Sequence, residues 1–576
     1  MAKRKHLKSG EGRWQPCLGF IMAALGAGVV FPSQAVQIET GNPDLRVTWD
    51  TTIKYSNAFR VKSRSEHLVS NPAQDDGDRN FSRGLVSNRF DVLSEMDVVY
   101  KNVGLRISGA AWYDDVYRRS NDNDSPGTSQ GGSAYNHFAD GTRRLHGKQV
   151  ELLDAFVFGH GDLGGGVKGS FRLGRHALLW GESLFFGNNG IAAGQAPIDV
   201  VKALSVPNTQ FKELIRPVNQ ISGQLQLTPD LSVGAYYQFE WEKTRLPGAG
   251  SYFSGADLLD AGGYALQMMP PIPGLFPNGV SALRKDDMKA RNSGQGGVQI
   301  RYRLPESGYD FGLYAIRYHD KTPQSYTSGL QFPFGPNGGV ALPSHYQLIY
   351  PEAIKAYGFS VSTSVGNANV AAEVSTRRNA PLVSDPVEIG FDQSADNNGN
   401  ARYAVGNTLH AQVSMLYSLE PNFIARESSL IGEIAWNRVL SCTRNCEHTV
   451  GHGSNGPVDR PNGWLGKNTT RDAWGLRMVY TPTYRQVLPG LDISVPIGIS
   501  YFPQGRSGAV AAFGPHKGGD ISIGVNGVYL DKWRFGLNYT HFYGSEDIAL
   551  NADNVYTYRQ NLRDRNFISF TASTSF

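Results

Sequence analysis

Residues 45–56 read Leu-Arg-Val-Thr-Trp-Asp-Thr-Thr-Ile-Lys-Tyr-Ser, so two kinds of side chain alternate with a period of two. All the charge falls on one face of this pattern. The other face consists of Leu45, Val47, Trp49, Thr51, Ile53 and Tyr55. Alternation with this period predicts a β-strand. A membrane strand needs about 9–11 residues, whereas soluble strands usually have about 5–6. The length of the pattern therefore favours a strand that crosses a membrane.

The same division of side chains recurs along the chain, for example in residues 231–242, 491–501 and 533–540. In total, 18 candidate strands begin near residues 45, 86, 103, 149, 167, 219, 231, 296, 309, 354, 368, 406, 428, 472, 491, 519, 533 and 566. Eight short connections alternate with nine long ones. Outer-membrane barrels have an even number of antiparallel strands, short periplasmic turns and long extracellular loops. The fold class predicted is all-β, a transmembrane antiparallel β-barrel of about 18 strands (roughly 16–18).

Composition excludes other classes of protein. The 576 residues have a mean hydropathy of −0.34, which is too polar for a bundle of membrane helices. Residues 1–35 contain a basic stretch, a short apolar run and a small-residue site, and they predict a cleaved signal peptide. Without them the formal charges cancel, so nothing indicates nucleic-acid binding. We expect a single barrel domain, residues 36–576, in the outer membrane of a Gram-negative bacterium.

The last strand supports this location. It closes on an aromatic residue, Phe576, at the end of an alternating pattern. A terminal Phe of this kind resembles the signal that the outer-membrane barrel-assembly machinery reads. The alternative is an ordinary edge strand that ends in Phe.

A barrel of this size leaves an aqueous lumen, so something must restrict what passes. The best candidate is the third long connection, residues 181–218, which contains predicted helical turns and apolar side chains and which we expect to fold inward as a constriction or plug. The residues predicted to line the constriction are Lys168, Arg172, Arg175, Glu182, Asp199, Lys212 and Glu213. Cations on the wall and anions on the loop would set a transverse field. Alternatively, these charges pair with one another and only fasten the loop.

Two smaller features concern covalent and metal chemistry. Cys442 and Cys446 lie four residues apart in an exported chain, which predicts a local disulfide. No cofactor or metal site is predicted. The sequence contains neither a GxSxG nor an HExxH motif, so we expect no enzyme.

Between about residues 171 and 256 the sequence resembles the proteobacterial outer-membrane proteins of domain of unknown function 1302. The matching residues are Leu173-Gly174-Arg175, Trp180-Gly181-Glu182-Ser183, Gly190-Ile191, Pro197, Asp199, Leu204, Pro207, Lys212-Glu213, Pro217, Tyr237-Gln238-Phe239-Glu240-Trp241 and Arg245-Leu246-Pro247. The resemblance implies an outer-membrane barrel. It also implies an exported partner protein and an inner-membrane transporter of the resistance-nodulation-division type.

The function expected from these observations is an outer-membrane channel or transporter for small solutes. The family resemblance favours hydrophobic or lipid-like solutes, moved together with an envelope transport system. Three alternatives stay open: a general diffusion porin for polar solutes, a surface receptor or adhesin mounted on a barrel, and an outer-membrane barrel hydrolase.

Overall fold

The computed structural model describes residues 36–128, 134–335, 340–390, 393–446, 449–453, 456–459 and 468–576. The predicted signal peptide, residues 1–35, lies outside the described residues. None of the helices in the described ranges has the length and apolar character needed to cross a membrane.

The chain forms one closed antiparallel barrel of 18 strands, as the sequence predicts. The strands are β1 (Leu45–Arg60), β2 (Gly84–Tyr100), β3 (Val103–Asp114), β4 (Lys148–Gly164), β5 (Val167–His176), β6 (Val218–Gln226), β7 (Leu231–Gln238), β8 (Gln295–Arg303), β9 (Asp310–Tyr318), β10 (Ile354–Val365), β11 (Ala368–Pro381), β12 (Val405–Leu419), β13 (Glu427–Arg444), β14 (Asp472–Leu488), β15 (Leu491–Ser494 and Ile497–Tyr501), β16 (Gly519–Tyr529), β17 (Trp533–Tyr543) and β18 (Phe567–Ser575). Each begins within two residues of its predicted start.

The last strand closes the barrel on the first. β18 pairs with β1 from Thr52 opposite Ser575 to Arg60 opposite Phe567. Phe576 continues the ladder, because its N–H donates to the carbonyl of Thr51 at 3.1 Å. The short strand Val36–Ile38 pairs with β1 beyond that point. Closure leaves no open sheet edge, which is the condition for placing a sheet in lipid.

The alternating pattern separates a lipid face from a lumen face. Ile434, for example, is 53% exposed on the outside, while its inward neighbours Glu433 and Ala435 are buried. Exposed aromatic residues stand at the ends of strands beside short turns, such as Tyr100 and Trp533. Aromatic girdles at the membrane–water interface are typical of transmembrane barrels.

The nine long connections gather at one end of the barrel and the eight short turns at the other, which confirms the predicted arrangement. Above the long-loop end, a separate sheet forms from Val387–Ile389, Gln324–Ser328, His345–Ile349, Val280–Arg284 and Ala265–Met269, in that order. An apolar cluster at the mouth joins three loops through Phe81, Tyr252 and Leu562. The loops therefore pack on one another over the opening.

We predict that a charge on the lipid face destabilises the barrel and that a charge on the lumen face does not. Ile523, which is 48% exposed, lies near the middle of β16 on the lipid face, and Asn526 faces the lumen. Ile523→Arg should lower the free energy of unfolding by about 2–4 kcal/mol. Chemical denaturation in lipid vesicles measures this value. Equal losses for Ile523→Arg and Asn526→Arg would contradict the assignment of faces.

Candidate pore constriction

The third long connection runs from residue 177 to residue 217 and contains helical turns at α1 (Val200–Ser205) and Phe211–Glu213, where the sequence predicts them. A further turn, Ile191–Gly194, is not visible in the sequence. Asp199 caps α1, because its carboxylate accepts the N–H of Lys202 at 2.9 Å. We call residues 177–217 the lumen loop, because they contact side chains that point into the barrel.

Two buried glutamates of the barrel wall hold the first half of the lumen loop. Glu373 on β11 accepts the backbone N–H of Glu182 at 2.8 Å and that of Ile191 at 2.6 Å. Glu433 on β13 accepts the N–H of Phe186 at 2.8 Å and also that of Phe185. A buried backbone N–H needs an acceptor, and a strand-poor loop cannot supply its own. The wall carboxylates therefore accept the backbone hydrogen bonds that carbonyls of a neighbouring strand would accept in a sheet.

Amide and guanidinium groups add further contacts to the same part of the loop. Arg377 on β11 donates to the carbonyls of Asn188 at 2.7 Å and Gly190 at 3.0 Å. The side chain of Asn189 donates to the carbonyl of Trp436 at 3.2 Å. From the loop after β9, Lys321 donates to the carbonyl of Gly194 at 3.2 Å.

The apolar residues of the lumen loop pack against the wall. Ile191 and Trp180 join Tyr236, Tyr314 and Ile316 in one buried cluster. Gly358 on β10 makes room for Ile191, since a Cβ there would lie 2.5 Å from its side chain. The Phe186 ring lies 5.6 Å from that of Phe513. These side chains thus form a packing face against the barrel wall.

The loop crosses the lumen to a second contact. Asn208, in the left-handed backbone region with a φ of 62°, accepts a hydrogen bond from Ser522 on β16 at 3.1 Å. Gly498 on β15 leaves space for this side chain.

Charged residues fasten the middle and the last part of the loop. Arg245, in the loop after β7, binds Asp199 at 2.8 Å and Glu151 of β4 at 3.2 Å. Arg216, at the end of the lumen loop, approaches Glu151 and Glu242 at 3.5 Å each. These residues are largely buried and form one network. For Asp199, the structure therefore shows pairing and no exposed anion.

The remaining predicted constriction residues are dispersed. Glu182 pairs with Arg301 of β8 at 3.2 Å. Glu213 accepts the N–H of Gln210 within its own turn at 3.3 Å, and its neighbour Lys212 is half-buried. Arg172 faces the lumen with its guanidinium 5.7 Å from the centre of the Phe156 ring.

Two predicted residues lie away from the constriction. Lys168 stands opposite Asp162 beside the short turn, at the end of β5 that is remote from the loop. Arg175 occupies the outward register of β5 and binds Glu240 at 2.9 Å and Glu242 at 3.0 Å. Gly174 has a φ of 123°, which suits glycine, but the alternation of side chains continues through it. Arg175 therefore fastens the rim of the barrel and does not line the pore.

The sequence reasoning missed a charged patch on the inner wall of β2 to β4. Arg106 on β3 binds Glu95 at 2.5 Å, Asp97 at 3.2 Å and Asp154 at 3.7 Å. All four residues fall on the inward register of their strands, so the alternating pattern could have identified them.

Within the described residues, no hydrogen bond or ion pair joins the lumen loop to β1–β3 or to β17–β18, and its contact on this side is the apolar packing of Leu204. On α1, the ammonium of Lys202 donates to the carbonyl of Glu213 at 2.9 Å and lies close enough to Lys54 of β1 for the two charges to repel. The inner face of β16–β18 is small and polar, because Gly536 packs among Asn526, Asn538 and Thr571.

Comparison with known proteins adds a family to this geometry. The family model described as "Protein of unknown function (DUF1302)" matches residues 17–576. The chain belongs to this family. No curated protein matches the sequence.

Solved outer-membrane proteins are similar at low identity. OccAB3 of Acinetobacter baumannii is 8% identical, with a TM-score of 0.41 over 92% of this chain and 99% of that one. OccK9 (OpdG) of Pseudomonas aeruginosa is 11% identical, with a TM-score of 0.39 over 92% and 98%. The outer membrane channel DcaP of A. baumannii is 8% identical, with a TM-score of 0.35 over 94% and 100%.

In this DUF1302 protein, Cys442 and Cys446 form a disulfide with 5.8 Å between their Cα atoms. Cys442 belongs to β13, which extends to Arg444, so the bridge lies where the strand ends.

We predict that removing the two wall carboxylates releases the first half of the lumen loop. In the double variant Glu373→Ala, Glu433→Ala, four loop N–H groups lose their acceptors. Hydrogen exchange of residues 182–191 should accelerate at least about tenfold, since each lost bond costs about 1–3 kcal/mol. Glu420→Ala, at a short turn, is the matched control. Unchanged exchange in the double variant would contradict this role.

We predict that the stability of the barrel rises with pH between about 8 and 9.5 because of Lys321. Burial lowers the pKa of Lys321 to about 8. In this window the unfolded chain binds a proton that the folded chain does not, so the free energy of unfolding increases with pH, by up to about 2 kcal/mol. Thermal unfolding of Lys321→Met should lack this rise. The exposed Lys285→Met should retain it, and a loss in both variants would exclude Lys321 as its source.

Proposed function

We propose that this protein is an outer-membrane channel that lets small solutes pass between the lumen loop and the inner face of β1–β3 and β17–β18. The observation that carries the proposal is the one-sided attachment of the loop. Its hydrogen bonds and ion pairs go to β4, to strands from β7 to β16 and to neighbouring loops, and the polar and charged face on the other side is left partly exposed.

The chemistry of that face favours water-soluble solutes. Side chains of β1 to β4 present partly exposed charges of both signs, among them Lys54, Asp91, Glu95 and Arg106. The adjoining strands β17 and β18 present small polar groups around Gly536. Charged rings and patches select solutes in wide barrels by the potential that they set in the water-filled path. We infer that small polar or charged solutes pass here.

A conduit for hydrophobic solutes is the second candidate. An apolar cavity of about 180 Å³ between the lumen loop and the mouth loops favours it. The residues that line the cavity include Leu204, Leu246, Pro247, Phe253, Leu259 and Leu562. The exported partner and the inner-membrane transporter implied by the family resemblance belong to this candidate.

We propose transport and no catalysis. His176, the histidine nearest the lumen loop, is 1% exposed, and both of its ring nitrogens have partners. Nε2 lies 2.8 Å from the hydroxyl of Ser222, and Nδ1 lies 3.0 Å from the carbonyl of Gly174. His176 and Ser222 are both buried, so this pair locks β5 to β6 and is out of reach of a substrate. A surface receptor or adhesin would not need the polar path that β1–β3 and β17–β18 retain.

We predict that the refolded barrel conducts ions in a planar bilayer and that Lys202→Glu shifts the permeability ratio towards cations. Lys202 faces the open wall, so its charge acts on ions in the path. The reversal potential in a salt gradient measures the ratio. Glu420→Lys, at a short turn, is the control and should leave it close to the native value.

The two candidates are separated by a second measurement on the same protein. Leu204→Gln places a polar group in the apolar cavity, whereas Val206→Gln, on an exposed position of the same loop, does not. The hydrophobic conduit becomes the better assignment under two results together. The native barrel conducts no ions, and its binding of a fluorescent fatty acid is abolished by Leu204→Gln but not by Val206→Gln.

A further inference from the structure

Three buried carboxylates meet at the mouth of the barrel, away from the lumen loop. Asp75 and Asp76 belong to the loop after β1, and Asp257 belongs to the loop after β7. One oxygen of each lies within 4.8 Å of the others. Their exposed fractions are 0%, 7% and 1%.

Two of the carboxylates each have an oxygen without a partner. Oδ1 of Asp75 and Oδ1 of Asp257 are buried and accept no hydrogen bond. Their second oxygens are used, since Asp75 binds Arg79 and Asp257 accepts the N–H of Asp76 at 3.2 Å. Asp76 itself accepts a hydrogen bond from Asn123 at 3.2 Å. Buried carboxylate oxygens without partners are rare because their desolvation is not repaid.

The neighbouring arginines also do not balance the negative charge of the three carboxylates. Arg79 binds Asp75 but shares its guanidinium with Asp124, at 3.1 Å. The nearby Arg60 is committed to other acids, Asp78 at 2.7 Å and Asp564 at 2.9 Å.

Arg565 also approaches Asp78, at 3.5 Å, and donates to the carbonyl of Tyr252 at 2.7 Å. Three buried carboxylates therefore share little more than one guanidinium. Buried charge is tolerated when it is paired or when it binds a metal.

We propose that Asp75, Asp76 and Asp257 bind a calcium ion that joins the loop after β1 to the loop after β7. All the side-chain ligands are carboxylate oxygens, which Ca²⁺ prefers. Calcium takes about 6–8 oxygens in flexible geometry, so carbonyls and water complete its shell without the strict octahedron of Mg²⁺.

An ion at this position would join the loop after β1 to the loop after β7. The two loops already meet on both sides of the cluster, through the N–H of Asp257 and the carbonyl of Ala73 at 3.1 Å and through Asn80 and the carbonyl of Gly250 at 2.9 Å. A cation between these contacts fixes the loops that carry Tyr252 in the apolar cluster of the mouth. Binding would thus stabilise the closed arrangement of the mouth.

The test uses the mature barrel refolded from inclusion bodies in detergent, so that it is free of lipopolysaccharide, which itself binds calcium. After treatment with a chelator, titration with CaCl₂ in a calorimeter should show one site per chain. Tm should rise with Ca²⁺. Both effects should be absent in Asp257→Asn, which keeps the size and the hydrogen bond of Asp257. Asp396→Asn, in another acidic loop, should retain both.

Asp76→Asn serves as a second variant where Asp257→Asn does not fold, and it should show the same loss. No calcium binding by the native barrel, or equal binding by the native protein and Asp257→Asn, would overturn the proposal. A Tm that Asp257→Asn raises in the chelator, with no effect of Ca²⁺ on the native barrel, would show that the carboxyl groups share a proton instead. Equally tight binding of Mg²⁺ would overturn the assignment to calcium.

Discussion

In a bilayer, every backbone N–H and C=O must find its partner within the protein, and the rest of this structure depends on that constraint. The pairing of β18 with β1 satisfies it for the wall. The lumen loop faces the same requirement without a ladder, and Glu373 and Glu433 satisfy it from the wall. Two prolines remove backbone donors from this wall. Pro482 and Pro496, in adjacent strands, each remove one N–H, yet the register stays the same on both sides of them.

In the proposed channel, the attachment of the lumen loop determines where solutes pass. Asp199, Arg216 and Arg245 hold the loop by pairing with groups of opposite charge. These paired groups therefore contribute little net electric field in the lumen. The field in the open path therefore comes from the wall, where Arg106 and its acidic partners remain partly exposed, and from Lys202. A selective potential thus arises on the side of the barrel where sequence reasoning did not place it.

The sequence predicts the barrel well because lipid imposes a strict alternation on every strand, so each of the 18 starts is visible locally. It also predicts a helical turn in the lumen loop, because Pro197 and Asp199 are typical of the start of a helix. The partners of the loop are not local. Glu182 meets Arg301 only through the curvature of the barrel, and Glu373 receives the N–H of Glu182 from 191 residues away. Arg175 shares the outward parity of Phe171 and Leu173, and the structure keeps that parity through Gly174, so the residue lies at the rim.

The mouth and the constriction are connected through the apolar contact of Leu204, in addition to the ion pair between Arg245 and Asp199. Leu204 ends the apolar side of α1, the helix that carries Lys202, and packs against the mouth cluster that contains Tyr252, Phe81 and Leu562. Packed side chains have discrete arrangements and do not deform continuously. A rearrangement of the mouth loops therefore requires Leu204 to find a new position, and α1 is only a short helix with a single capping side chain to resist it. The charge that faces the open path would move with it, so whatever holds the mouth loops together also sets the position of Lys202.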